Sequence, residues 1–339
     1  MQSVIHNKSY YYNLPILQDI EYLYALTSNK NNDTSILIKP TVNNALKPLL
    51  NLFNTYGYYY DVNYSDRQYS KIDISNFNKH NMIVCFSGGK DSLATAIHYK
   101  KLGYNVYLYH VTGLNKHYTK EYESAKILAE KLEMPLIIED ISYKGQHDWI
   151  EHPLKNIVLV GMALNYGLKN KIGYKIAVGN YYTSTLDNIT DIEFGIDAGD
   201  CIDVWKIYEN IIKKFIHNFH IYVALQKMQT SYNIIVNYDY KLFFDTQSCL
   251  TPNRFRTLFH NRTQKNYTID LKSNRCGCCW KCAFEYIWLV DKKYLPVNKK
   301  YYKQCVEVLH NTLKKDEDTV YTLEESYQRY FGYSIRMEV

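Results

Sequence analysis

The stretch Met82-Ile83-Val84-Cys85-Phe86-Ser87-Gly88-Gly89-Lys90-Asp91-Ser92 decides how this chain is read. Five apolar residues break into Ser-Gly-Gly, and the chain then resumes in a helix-forming pattern. A buried strand that turns so sharply into a helix presents backbone N–H groups at the helix N-terminus. Such a nest holds an anion, a polyphosphate included, without needing a large side chain. Gly88 and Gly89 let the backbone approach the anion and take positive φ at little cost. Ser87 and Ser92 can donate hydroxyls, Lys90 adds a point charge, and Asp91 can hold a magnesium ion that bridges phosphates. Ser87, Gly88, Gly89, Lys90, Asp91 and Ser92 are therefore the expected nucleotide-binding set, with Asp91 and Lys90 as the expected catalytic pair. The competing reading is a Gly-containing helix cap with no ligand. The Gly-x-x-x-x-Gly-Lys spacing of the Walker loop is absent.

On either side of this loop the pattern is regular. Strands are expected at 82–86, 105–111, 135–141 and 174–179, and helices at 91–102, 119–133, 153–169 and 203–216. Leu93, Ala96 and Ile97 give the helix after the loop an apolar stripe, and Gly103 gives it a C-cap. Tyr122, Ala125, Leu128, Ala129 and Leu132 recur at helical spacing in the next helix. Strands alternating with helices imply a parallel sheet with right-handed crossovers, in which ligands bind beyond the carboxyl ends of the strands. Several residues are placed at that edge by this reading. His110 is a candidate contact for the nucleotide base, with a structural histidine as the competing reading. Gly179-Asn180 suits a close approach of backbone to ligand. Lys155-Asn156 is a candidate for binding substrate or ribose and Asp200 for contacting substrate or magnesium, with capping as the alternative for both; the substrate set is Asn156, Gly179 and Asp200.

Residues 1–80 form a Tyr/Asn-rich lead segment without a chemical motif. A helix is expected over Ile16 to Leu26 and a short strand at Ser35-Ile36-Leu37-Ile38. From about residue 245 the alternation stops and a helical tail follows, with Val306, Val308, Leu309 and Leu313 as its apolar positions and a second helix expected near Thr322. The expected organisation is an N-terminal extension over 1–80, a nucleotide-binding α/β domain over 81–245, and a metal-binding and helical region over 246–339.

Four of the eight cysteines lie in Cys276-Gly277-Cys278-Cys279-Trp280-Lys281-Cys282. Such crowding in an intracellular chain argues for metal rather than disulfides. Cys276, Cys279 and Cys282 have the spacing to bite one tetrahedral ion, and Cys249 is the candidate fourth ligand of a structural zinc site. A four-thiolate iron–sulfur cluster uses the same donors. Cys85, Cys201 and Cys305 read as buried structural thiols. Residues 251–300 carry eleven Lys/Arg against three acids. That excess suits either a nucleic-acid partner or the offset of a zinc–thiolate charge of about −2. No apolar stretch is long enough to span a membrane, and the N-terminus lacks a signal-peptide core, so a soluble cytoplasmic protein is expected. The 36 tyrosines, with many Lys, Asn and Ile, read as compositional drift rather than function.

The loop resembles the PP-loop, Ser-Gly-Gly-x-Asp-Ser, of the ATP pyrophosphatase superfamily. Over about residues 82–290 the chain looks like one branch of it, the 7-cyano-7-deazaguanine synthases of the queuosine pathway. The resemblance continues through Glu121 to Ala129, Pro153-Leu154-Lys155-Asn156, Asp200-Cys201, Gln247-Ser248-Cys249 and Cys276-x-x-Cys279-x-x-Cys282. It implies an adenine nucleotide alpha hydrolase-like fold with a zinc-bearing C-terminal unit, and ATP, Mg2+ and Zn2+ as cofactors. It also implies adenylation of a 7-carboxy-7-deazaguanine carboxylate, followed by conversion to amide or nitrile with ammonia. The chain departs from the family at Lys155, where the family has Arg, at Ile202 after Asp-Cys, and at His110-Val111-Thr112-Gly113 after the second strand. Relatives in anti-phage defence modify another acceptor, including a protein, so the expected partners are a deazaguanine carboxylate and either ammonia or an amine. A homodimer without membrane association is the expected assembly. Three other readings stand beside this one: a tRNA-thiolating enzyme, which the basic 251–300 segment suits, an ATP-binding assembly subunit without turnover, and sulfonucleotide reduction, against which no isolated C-terminal cysteine stands apart from the cluster.

Overall fold

A computed structural model describes residues 5–7, 14–28, 39–55, 60–113, 119–141, 154–181, 202–226, 228–247 and 280–313. Strand β4 (Asn81–Cys85) leads through the Ser-Gly-Gly turn into α3 (Lys90–Lys101). Then follow β5 (Asn105–Thr112), α4 (Thr119–Leu132), β6 (Leu136–Asp140), α5 (Lys155–Lys169), β7 (Ile176–Tyr181) and α6 (Ile202–Lys213). The expected elements from residue 81 to residue 213 are present, their ends displaced by at most three residues. The next pair was not anticipated: β8 (Ile221–Gln226) and α7 (Met228–Asp239), closed by a 3-10 turn at Tyr240–Asp245. In the tail, α8 spans Trp280–Asp291 and α9 spans Lys299–Leu313. The expected strand at 35–38 and the helix near Thr322 lie outside the described residues.

The lead segment contributes β1 (Ile5–Asn7), α1 (Pro15–Ser28), β2 (Thr41–Asn43), α2 (Lys47–Thr55) and β3 (Asn63–Ser65). The main sheet has six strands in the order β1-β6-β5-β4-β7-β8. Its β1–β6, β6–β5, β5–β4 and β4–β7 pairings are parallel, with Val84 opposite Leu108 on one side and Ala177 on the other. β4 is thus the strand where the chain order reverses. Ligands of doubly wound sheets bind outside the carboxyl end of that strand, and the Ser-Gly-Gly turn leaves β4 there. β2 and β3 form a separate parallel pair. Among the described residues no helix is long and apolar enough to cross a membrane.

The chain divides into two compact units: 1–86, 98–116 and 133–225 form the first, and 87–97, 117–132 and 226–339 form the second. The first unit holds the sheet and a large core. Helix α5 is apolar nearly all round, with Ile157, Val158, Val160, Met162, Ala163, Leu164 and Leu168 buried. Such a helix must be covered on several sides. Ile16, Leu17, Ile20, Leu23 and Tyr24 of α1 are buried at helical spacing and join that core. Gly161 marks a close approach: a Cβ there would meet Leu17 Cδ2 at 3.2 Å and the Tyr208 hydroxyl at 3.3 Å. Cys85 is half-buried, and desolvation of its thiol pushes the pKa up to about 12, so it stays protonated.

Gly167 is tighter still. A Cβ there would lie 2.4 Å from the Gly173 carbonyl oxygen and 2.4 Å from Ile83 Cδ1. The first obstacle is backbone and cannot swing away. Gly167→Ala is expected to cost about 2–3 kcal/mol, read as a clear drop in thermal midpoint. An unchanged midpoint would show that the end of α5 has room to spare.

The second unit is built on aromatic packing. Tyr232 of α7 stands 5.0 Å from Phe243, 5.9 Å from Phe284 and 5.1 Å from Trp288, centroid to centroid. Trp288 also stacks on Tyr294 at 6.1 Å. Offset and edge-on pairs of this kind add about 0.5–1.5 kcal/mol each beyond their buried area.

Candidate functional site: the Ser-Gly-Gly loop and its braces

The loop takes the conformation that its glycines allow. Gly88 has φ +76°, in the left-handed region. A Cβ on it would lie 2.8 Å from the Ala125 nitrogen and 3.0 Å from the Glu121 oxygen, both on α4. Only glycine fits there, for both reasons. The Gly88 carbonyl accepts from the Gln247 N–H at 2.9 Å, which fastens the turn to the segment after α7.

Behind the turn the helix starts cleanly. The Leu93 N–H donates to the Gly89 carbonyl at 3.0 Å, and the Ser92 hydroxyl donates to the same oxygen at 3.0 Å. Ser87 Oγ is exposed, accepts from the Gly89 N–H at 3.2 Å and lies 3.4 Å from Ser92 Oγ. The first N–H groups of an α-helix have no intrahelical acceptor and carry the positive end of its dipole. The start of α3 is therefore chemically suited to an anion, and Ser87, at the exposed lip, to hydrogen bonding with it.

The two charged residues of the first turn are held by distant groups. Lys90 is 8% exposed; its ammonium pairs with Oε1 of Glu285 on α8 and lies 5.2 Å from the centroid of the Tyr232 ring. Asp91 Oδ1 accepts from the Ser231 hydroxyl of α7 at 2.7 Å. Neither partner was anticipated from the sequence. Glu285 had a visible signal: it is an acid in the apolar run Cys282-Ala-Phe-Glu-Tyr-Ile-Trp-Leu, and a carboxylate buried there needs a cation. Ser231 had none.

The other sequence-derived candidates fall in different places. His110 belongs to the first unit. It is buried on β5, with Nδ1 2.7 Å from the Phe86 carbonyl oxygen. That oxygen only accepts, so Nδ1 carries the proton. Burial pushes the imidazole pKa down against the smaller opposing effect of this bond, which keeps the ring neutral. Asn156 is half-buried in the first turn of α5, beside Lys155, also in the first unit. Gly179 is half-buried in β7; the strand runs on to Tyr181, so Gly179-Asn180 lies within it rather than closing it. Asp200 lies outside the described residues.

Of the expected metal ligands, Cys249, Cys276 and Cys279 lie outside the described residues. Cys282 is fully buried in the first turn of α8. Among the described residues there is no cluster of three or more side chains that could hold a metal. Cys305 of α9 is buried beside Cys282, and burial pushes its thiol pKa well up, so it stays protonated.

Among curated proteins no match was found. Among solved structures, a predicted subunit of tRNA methyltransferase from Methanocaldococcus jannaschii aligns at 17% identity, over 65% of this chain and 93% of that one, with a TM-score of 0.26. A likeness that loose bears on neither fold nor function. The family comparison is more pointed: residues 81–150, which carry β4, the loop and α3, match the model of the queuosine biosynthesis protein QueC. Over that segment the chain is similar to QueC, in agreement with the resemblance of its Ser-Gly-Gly-Lys-Asp-Ser loop to the PP-loop of ATP-using enzymes.

Proposed function

We propose that the protein is an ATP-dependent ligase of the 7-cyano-7-deazaguanine synthase type. The observation that carries this reading is the loop: Gly88 in the left-handed region against α4, followed directly by a helix whose first turn bears Lys90 and Asp91. A carboxylate oxygen of the substrate attacks the α-phosphorus of ATP, the α–β bridging bond breaks, and pyrophosphate leaves. The acyl-adenylate that results is a good electrophile. An amine then attacks its carbonyl carbon, AMP departs with the bonding pair, and the nitrogen loses a proton, leaving an amide. With ammonia as the amine, the amide oxygen attacks the α-phosphorus of a second ATP and pyrophosphate leaves; AMP then departs with the amide oxygen and both N–H protons are lost, which gives the nitrile.

The chain's own groups serve the first step. Backbone N–H groups at the start of α3 face the charge that grows on the departing pyrophosphate, where fixed dipoles are most effective. Ser87 donates its hydroxyl to a phosphate oxygen, while Ser92, whose hydroxyl donates to the Gly89 carbonyl, and Lys90, paired with Glu285, hold the shape of the turn. Asp91 has the chemistry to hold magnesium, which when bound supplies charge neutralisation across the phosphates. No general base is required, because the attacking carboxylate is already ionised.

Zinc belongs to this proposal as a structural ion. Its fit rests on Cys282, fully buried in the first turn of α8, and on Cys279, which directly precedes that helix. A helix N-terminus favours the negative charge of thiolates. With Cys249 and Cys276 they make a four-thiolate set. Cys279→Ala is expected to lose bound zinc and to unfold at lower temperature, as measured by elemental mass spectrometry and thermal denaturation. A variant with full zinc content would remove Cys279 from the ligand set.

The substrate is tested by mass spectrometry of reactions containing ATP, Mg2+ and 7-carboxy-7-deazaguanine, with and without ammonia. Ammonia-dependent amide or nitrile in step with AMP supports the proposal. AMP without an ammonia product redirects it to another acceptor, such as a protein amine. The Lys/Arg excess of residues 251–300 favours tRNA thiolation as the second reading, which the absence of any product from this carboxylate would promote.

A further inference from the structure

Lys90 immediately follows the Ser-Gly-Gly turn, and its side chain is not spread into solvent. Its ammonium is buried on Oε1 of Glu285, 195 positions away in sequence, with the Tyr232 ring beside it. Glu285 is itself fully buried, on an apolar helix. A carboxylate in such surroundings is stable only when paired and hydrogen-bonded. The partner is the first residue of α3. A lysine stem is flexible and its charge can settle in many places; here both ends of the stem are fixed, one by the helix and one by the carboxylate.

We propose that Glu285 is a positioning residue for the nucleotide loop: through its ion pair with Lys90 it fixes the first turn of α3, and with it the backbone donors that face the phosphates. The inference rests on the ATP reading above. It goes further in tying the loop to the helix that bears Cys282, because Cys282 and Glu285 are three residues apart and so lie on one side of α8. The bond from Ser231 to Asp91 braces the next residue of the same turn. The loop is thus held from α7 and α8 before any nucleotide arrives, which reduces the ordering that binding must cost.

The test compares wild type, Glu285→Gln, Glu285→Asp, Lys90→Met and the double variant Lys90→Met/Glu285→Gln. Each is unfolded thermally without nucleotide and titrated with α,β-methylene-ATP and Mg2+ well below its midpoint. Glu285→Gln is expected to weaken nucleotide binding about tenfold, and Glu285→Asp to recover most of that loss. In the Lys90→Met background, Glu285→Gln should change affinity less than about twofold, since the effect travels through Lys90. The double variant also removes the buried carboxylate whose ion pair Lys90→Met alone would break. Wild-type affinity in Glu285→Gln, or an equal loss in both backgrounds, overturns the proposal; a lowered midpoint with unchanged affinity does so too, because it makes the pair a clamp of the fold alone. If wild type binds no nucleotide, the ATP reading fails by itself. The midpoints then decide the pair: non-additive shifts keep Glu285 as the holder of Lys90, and additive shifts remove it.

Discussion

Asp91→Ala is expected to lower AMP formation by at least about a hundredfold, the scale seen when one group that stabilises transition-state charge is removed. The fold should survive. Asp91 is half-buried, and its described side-chain bond is with the Ser231 hydroxyl at 2.7 Å. Leaving that hydroxyl without its acceptor costs about 1–2 kcal/mol, and losing an acid from the first turn of a helix about 0.5 kcal/mol more. A domain of ordinary stability, about 5–15 kcal/mol, tolerates this. The signature is therefore a small fall in thermal midpoint with near-complete loss of turnover. An Asp91→Ala enzyme that still makes AMP at the wild-type rate would remove Asp91 from the magnesium site.

Gly88→Ala is expected to damage both fold and function. Two penalties combine. A side chain at φ +76° costs about 1–2 kcal/mol. The new Cβ also meets the α4 backbone, at 2.8 Å from the Ala125 nitrogen and 3.0 Å from the Glu121 oxygen, adding about 1–3 kcal/mol. Relief requires α4 or the turn to move, and the turn is the part that would face the phosphates. Gly89→Ala is the control. Its Cβ would meet Ser87 Oγ at 3.2 Å and the Gln247 oxygen at 3.6 Å, a far milder contact. Thermal midpoints should fall further for Gly88→Ala than for Gly89→Ala, with nucleotide affinity following the same order. Equal midpoints would mean that the turn relaxes freely and that Gly88 is not the residue shaping it.

The elements of the alternating region were legible because each carries its own local pattern. Met82 to Phe86 is an apolar run ended by Gly-Gly, and Ala125, Leu128, Ala129 and Leu132 are helical in spacing and all buried in α4. The lead segment was legible only in part. α1 shows a buried stripe that periodicity finds, whereas β1 is three residues long and acquires its strand identity from pairing with β6. β8 was missed although Ile221-Tyr222-Val223-Ala224-Leu225 is an apolar run of strand length; without a turn motif beside it, such a run looks the same as a stretch of buried helix.

The site divides the same way. The shape of the loop was legible, since a buried strand broken by Gly-Gly before a helix signals a tight turn, and Gly88 takes the positive φ that such a turn needs. Its supports were not. Ser231 and Glu285 meet Asp91 and Lys90 across 140 and 195 positions, and such partners are brought together by packing around Tyr232, Phe284 and Trp288. Glu285 alone left a trace, as an acid stranded in an apolar helix.

The central claim is that the Ser-Gly-Gly loop serves cleavage of ATP between its α and β phosphates. The most direct test incubates the wild-type protein with Mg2+ and ATP labelled at the α-phosphate, in the presence of 7-carboxy-7-deazaguanine and ammonia, and separates the labelled products. The account predicts labelled AMP with an equal amount of pyrophosphate, both formed at least about a hundredfold more slowly by Asp91→Ala. Labelled ADP with inorganic phosphate would contradict it, because cleavage would then fall between the β and γ phosphates.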